Sequence, residues 1–173
     1  MNLLESFSRI KAFVFDMDGV LTDGTLLVMP GGEWIRKMHI HDGYALQLAV
    51  KRGYRVCVIS GSSSGPVQER LERLGVTDIF MKVGDKAAVL STYMQSHGLS
   101  REQVLYMGDD IPDIAVSKMA GLPCCPSDAM PDMREAAQYI ALKPGGYGCV
   151  REVIEKALRI QQAWDADGTV KSL

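Results

Sequence analysis

The sequence predicts an α/β chain: a doubly wound, Rossmann-like parallel sheet with an inserted β-hairpin. Short apolar runs of strand length alternate with segments whose apolar residues recur at helical spacing, the pattern of strand–crossover–strand units. A chain of 173 residues, 47% of them hydrophobic, can bury one substantial core but not two, so residues 1–173 are expected to form a single domain. The alternation breaks between about residues 24 and 41, where the spacing becomes extended on both sides of a Pro-Gly-Gly turn.

In chain order, the first strand-like run, Lys11–Phe15, empties into DMDGVLTDG, Asp16 to Gly24, which sets Asp16 and Asp18 at a strand mouth. Gly19 frees the backbone to fold tightly around whatever those carboxylates hold. The hairpin follows. Its Leu26, Leu27, Met29, Trp34, Ile35 and Met38 have little chain of their own to cover them, so it is expected to be a subunit contact. Further strand-like runs stand at Tyr54–Ser60, Asp78–Phe80 and Gln103–Met107, with weaker ones near Leu122 and Tyr139. Helical stripes lie between them, such as Val67, Leu71 and Leu74, then Ala87, Val89, Leu90 and Met94, then Val150, Val153, Ile154, Ala157 and Leu158. Pro66 and Pro112 suit the first turns of helices. After Ala163 the periodicity fades into small polar residues, which predicts a mobile tail over about 163–173.

Composition narrows the partners. A formal charge of -2 with 23% charged residues gives no basic field for nucleic acid, which leaves a small molecule as the expected partner. Cys57, Cys124, Cys125 and Cys149 have no metal-ligand spacing and are expected to be reduced and structural. The opening MNLLESFSRI carries an early acid and no long apolar core, so neither a signal peptide nor a membrane span is expected, and a cytoplasmic location is.

In an open parallel sheet, ligands bind beyond the carboxyl ends of the strands, so residues following separate strands converge. Here they are Asp16 and Asp18; Ser60 and Gly61; Lys86; and Asp109, Asp110 and Asp113 after Gly108. Clustered carboxylates raise one another's pKa unless a cation joins them, and an oxygen-only donor set without His or Cys favours Mg²⁺. Ser60 and the N–H groups around Gly61 suit phosphate oxygens, while Lys86 lowers the repulsion between a carboxylate and a phosphoryl group. An Asp-x-Asp pair can then supply a nucleophile and an acid/base. Each group alone also has a plainer reading: a cap or turn residue for the aspartates and Ser60, a solvated helix charge for Lys86.

Taken together, DMDGVLT, Ser60 in VISG, Lys86 in VGDKAAVL and GDDIPD resemble the ordered motifs of the haloacid dehalogenase superfamily of phosphohydrolases. That resemblance implies Asp16 as nucleophile and Asp18 as general acid/base. It implies that Mg²⁺ is held by Asp16, the Asp18 carbonyl and Asp109, and that Ser60 and Lys86 hold the phosphoryl group, with Asp110 and Asp113 in support. HDGYALQLAVKRGY from His41, LYMGDDIPD, GLPCC and GGYGCVREV are similar to the capless 3-deoxy-D-manno-octulosonate 8-phosphate phosphatase branch. The branch implies a sugar-acid phosphate substrate in lipopolysaccharide precursor synthesis and a homotetramer built on the hairpins, with shared active-site surface and a tail that reaches a neighbour. Two positions depart from it. Ser62 and Tyr147 stand where the branch carries arginine, and Arg36, Lys37, His41 and Arg151 are the cations available to compensate, so Arg36, His41, Ser62, Tyr147 and Arg151 are candidate substrate contacts. Open alternatives are a nine-carbon, sialic-acid-type 9-phosphate and, from another class, a phospho-acceptor signalling domain, whose acceptor Asp follows a later strand. A dinucleotide-binding module is disfavoured, since no Gly-x-Gly-x-x-Gly loop follows the first strand.

Overall fold

In a computed structural model, which describes residues 2–165 and 167–170, six strands form one parallel sheet. They are β1 (Ala12–Phe15), β4 (Arg55–Ile59), β5 (Asp78–Phe80), β6 (Val104–Met107), β7 (Leu122–Cys125) and β8 (Tyr139–Ile140), in the spatial order β5-β4-β1-β6-β7-β8. Central β1 sets Phe15 opposite Val58 on one side and Met107 on the other. The chain leaves β1 towards one flank and returns to the other, so a switch-point crevice opens at the carboxyl end of β1.

Side chains alternate across the sheet, and the two faces build separate cores. Phe13, Phe15, Val56, Val58, Leu105 and Met107 pack under helices α1 (Leu3–Ser8), α2 (Ile40–Lys51), α3 (Gly65–Arg73) and α7 (Cys149–Ile160). Ala12, Val14, Cys57, Ile59, Val104 and Tyr106 face α4 (Lys86–Ser96) and α5 (Ile114–Ser117). Burying a side chain such as Phe15 or Leu46 stabilises by about 1.5–3 kcal/mol. A short α6 (Pro131–Ala136) covers the β7 flank through Met133. Strand limits fall within one residue of the apolar runs. Pro66 and Pro112 sit in the first turns of α3 and of the 3₁₀ turn before α5. All four cysteines are free and buried.

The insert is a hairpin of two short strands, β2 (Leu27–Val28) and β3 (Trp34–Ile35), with Leu27 opposite Ile35 and Val28 opposite Trp34. A bridge between Thr22 and Met38 closes its base. Met38 tucks against the core, whereas Leu27, Val28 and Trp34 are 61%, 64% and 58% exposed.

Helix α2 has no clean apolar stripe because it is sandwiched: Gly43, Ala45, Leu46, Leu48 and Ala49 are all buried. Its buried Asp42 reaches across to α7, accepting from Gly148 N at 3.2 Å and Arg151 N at 2.7 Å. Burial pushes that carboxyl up to about 6, against the pull of those two backbone donors.

The stretch expected to be a mobile tail lies against this α2–α7 face over its described residues. Trp164 meets Tyr44 edge-on with ring centroids 6.1 Å apart, the Arg151 guanidinium lies over both rings, and Asp167 pairs with Lys51 at 2.7 Å. The cation–π contacts explain the docking: an amphipathic ring is held by a helix-borne guanidinium. Residues 166 and 171–173 lie outside the described part. No helix among the described residues is long and apolar enough to cross a membrane.

Candidate active site

Strand ends deliver the site. Asp16 follows β1, Ser60 follows β4, Lys86 opens α4 after β5, and Asp109 follows β6 and Gly108. Asp16, Asp18, Ser60, Gly61, Ser62, Lys86, Asp109, Asp110, Pro112 and Asp113 line one cavity of about 280 Å³.

Lys86 is its electrostatic centre. Its Nζ lies 3.0 Å from Asp16 Oδ1 and 2.7 Å from Asp113 Oδ1. Burial works against the ammonium charge, but the two carboxylates outweigh it and raise the Lys86 pKa, so it stays cationic. Asp16 Oδ1 also accepts from Met17 N at 2.7 Å, which leaves Oδ2 without a hydrogen bond among the described residues. Asp113, almost fully buried, is saturated instead. Oδ1 takes Lys86 and the Tyr106 hydroxyl at 2.6 Å, and Oδ2 takes Asp109 N at 3.1 Å. Gly108 permits this approach, since a Cβ there would stand 2.3 Å from that of Asp113.

Carboxylate oxygens of Asp16, Asp109 and Asp113 lie within 4.8 Å of one another. Desolvation, and then the charge of Asp113, lifts both Asp16 and Asp109 to about 7; Asp110 adds to the effect on Asp109. Such a cluster is strained without a cation, and its all-oxygen donor set fits Mg²⁺. Asp16 and Asp109 have oxygens to give, whereas both Asp113 oxygens are already taken, which makes Asp113 the residue that aims Lys86. Asp110 caps the following 3₁₀ turn through Ile111 N at 2.7 Å, and no Lys86 contact with it is present among the described residues. Gly19, at φ +81°, brings the loop that carries Asp16 and Asp18 directly onto Asp109: a Cβ there would fall 2.0 Å from Asp109 Oδ2.

Asp18 is held quite differently. Arg36 forks onto it, Nε to Oδ1 at 2.7 Å and Nη2 to Oδ2 at 3.1 Å, and Ser62 Oγ donates to Oδ2 at 2.7 Å. Burial tends to raise this carboxyl, but the Arg36 and Ser62 hydrogen bonds and the guanidinium charge prevail and lower it. Ser60, also buried, accepts from Ser62 N at 3.2 Å, so the two hydroxyls form one ledge, 3.3 Å apart.

Of the candidate substrate contacts, Arg36 and Ser62 meet at this site, while His41, Tyr147 and Arg151 line a different cleft of about 700 Å³ at the base of the hairpin and α7. A third cleft, about 770 Å³ between the hairpin and the start of α3, is lined by Arg36, whose fork reaches Asp18 of the first cavity. Arg70 lines it, with Nη2 buried and lacking a hydrogen-bond partner among the described residues. Sequence reasoning missed Tyr106 and Arg70. Tyr106 is hidden in the apolar run VLYM, and its one sequence signal is a hydroxyl two residues before Gly108.

Comparison with known proteins bears on the fold and the family. A family model described as haloacid dehalogenase-like hydrolase matches residues 41–126. The 3-deoxy-D-manno-octulosonate 8-phosphate phosphatase KdsC of Escherichia coli K12 is 30% identical over 164 residues, covering 95% of this chain and 87% of that protein. Among solved structures, the phosphatase of that name from Yersinia pestis superposes with a TM-score of 0.90 at 28% identity, over 93% of this chain and 87% of that one. The one from Moraxella catarrhalis, solved with magnesium, phosphate and KDO, gives 0.89 at 31% identity, over 92% of this chain and 91% of that one. Fold, ordered acidic motifs and relatives agree: the chain belongs to the haloacid dehalogenase-like hydrolases and, among them, to the phosphoric monoester hydrolases of the 3-deoxy-D-manno-octulosonate 8-phosphate phosphatase type.

Proposed function

We propose that this protein hydrolyses 3-deoxy-D-manno-octulosonate 8-phosphate to the free sugar acid and phosphate, in the cytoplasm, as a step of lipopolysaccharide precursor synthesis. The observation that carries the chemistry is Lys86, bridging Asp16 and Asp113 at the mouth of the central strand. Asp16 Oδ2 attacks phosphorus as the bond to the leaving oxygen breaks. Lys86 offsets the negative charge of carboxylate and phosphoryl group as they close. Ser60 Oγ and the N–H groups about Gly61 receive the non-bridging oxygens. Asp18, once it has taken up a proton from solvent against the pull of Arg36, gives it to the leaving alcohol, then takes one from the water that cleaves the aspartyl-phosphate and frees Asp16. Asp16, Asp109 and the Asp18 carbonyl would hold Mg²⁺, which would supply charge neutralisation to the phosphoryl group.

The hairpin–α3 cleft, which Arg36 lines beside the catalytic cavity, offers room for the leaving group. The exposed hairpin supports assembly into a homotetramer with shared active-site surface.

A panel of sugar-acid phosphates ranked by kcat/KM tests the reading, with the Asp16→Asn variant as control. Preference for the eight-carbon ester and loss of turnover in the variant are expected, and wild-type turnover by Asp16→Asn would refute the nucleophile. The neutral Ser62 favours a second reading, a nine-carbon sialic-acid-type 9-phosphate, and a higher kcat/KM for that ester on the same panel establishes it.

A further inference from the structure

Arg36 sits on the hairpin, outside the four strand ends that build the catalytic cavity, yet its side chain is only 3% exposed and its fork closes on Asp18. Nε and one Nη2 proton go to Asp18, Nη2 also reaches Ser62 Oγ at 3.3 Å, and Nη1 points to the Trp34 carbonyl at 3.5 Å. A guanidinium so fully spent has little left for a substrate anion. What it does is fix the plane of a carboxylate that is otherwise held by hydroxyls alone, Ser62 and, at 3.4 Å, Thr22. A bidentate fork sets orientation as well as distance, which an ammonium cannot do.

We propose that Arg36 is the positioning residue for Asp18: with Ser62 as second anchor, it aims the carboxyl that serves the leaving oxygen, rather than binding substrate itself. The assignment rests on the phosphatase reading above, in which Asp18 passes a proton to the departing alcohol oxygen while the Asp16 oxygen–phosphorus bond forms. The short side chain at position 62 is part of the device. Ser62 Oγ contacts both Asp18 and Arg36, so the cation that the sequence lacks at position 62 is delivered in space from the hairpin.

The test uses three phosphate esters with the full-length protein loaded with Mg²⁺. The first is p-nitrophenyl phosphate, whose leaving group departs without a proton; the other two are alkyl esters that need one, an eight-carbon sugar-acid phosphate and a neutral sugar phosphate. For Arg36→Met, kcat/KM is expected to fall by about 100-fold on both alkyl esters and by less than about 5-fold on p-nitrophenyl phosphate, the size of a general-acid contribution. Arg36→Lys, keeping charge but losing the fork, is expected to rescue only part of that loss, and Ser62→Ala to repeat the pattern more mildly. Circular dichroism and a melting temperature near wild type confirm that the variants fold. An equal loss on all three esters overturns the proposal in favour of a general structural role, and a rise in KM confined to the sugar-acid ester overturns it in favour of a substrate contact. A wild-type protein that turns over none of the three sinks the phosphatase reading, and this assignment with it; failure of the leaving-group pattern alone leaves that reading standing.

Discussion

Removing the Asp113 carboxylate tests whether Tyr106, Asp113 and Lys86 act as one buried network. Tyr106→Phe deletes a 2.6 Å hydrogen bond to an ionised acceptor and leaves Lys86 with both carboxylates. A bond of that kind contributes about 1.5–3 kcal/mol. Asp113→Ala does more: it leaves the Tyr106 hydroxyl without its partner, frees Asp109 N, and strips Lys86 of the nearer of its two counter-charges. Breaking a buried pair from one side costs about 3–5 kcal/mol. Once Asp113 is gone, however, Tyr106→Phe deletes only an orphaned hydroxyl and is expected to cost almost nothing, so the two substitutions couple by about 1–3 kcal/mol. Urea unfolding of the metal-free protein, with a common m-value across the four proteins, reads that coupling directly. Effects that add to within about 0.5 kcal/mol would show that the hydroxyl and the carboxylate do not share a network. Turnover gives an independent check: Tyr106→Phe is expected to keep most of it, because Lys86 still lies between Asp16 and Asp113.

Metal and pH are linked through Asp16 and Asp109. Both carboxyls stand near 7 in the folded chain, above their ordinary 3.8, so their contribution to stability is complete at low pH and is lost as pH rises towards 7. Mg²⁺ needs the ionised carboxylates and reverses that loss. At about 100 times its Kd it contributes about 2.7 kcal/mol, roughly a 5–10 °C rise in melting temperature near pH 8 and little near pH 5; an equal rise at both would contradict the assigned ligands. Gly19→Ala meets two obstacles, a left-handed backbone costing about 1–2 kcal/mol and a Cβ aimed at Asp109 Oδ2. It is expected to weaken Mg²⁺ binding at least about 10-fold by titration calorimetry, and affinity within about twofold of wild type would remove the steric argument.

Legibility in the sequence followed locality. The parallel sheet showed because each strand is a compact apolar run, and the order of Asp16, Ser60, Lys86 and Asp109 showed because each directly follows such a run. Helices α1 and α2 did not show: α1 is one short turn and a half, and α2 is buried on several faces, so no polar face marks its period. The resemblance implied a supporting role for Asp113, which the structure sets against Lys86, but the Arg36–Asp18 pairing was hidden, because those residues meet only after the chain has folded. Similarly, Tyr147 and Arg151 neighbour the catalytic loop in the Gly-rich motif, yet their side chains point to another cleft. The tail's aromatic anchor was masked by its polar surroundings: Trp164 meets Arg151 of the preceding helix and Tyr44 far back in the chain.

Gly145 and Gly146 lie directly on the loop that carries Asp16 and Asp18. A Cβ on Gly145 would meet the Gly19 carbonyl at 1.9 Å, one on Gly146 would meet Asp23 N at 2.4 Å, and Gly146 N donates to the Val20 carbonyl at 2.9 Å. The brace therefore comes from the last sixth of the chain while Asp16 comes from the first tenth. During synthesis the aspartates emerge long before the glycines that brace their loop, so the native packing of that loop has to await the C-terminal segment.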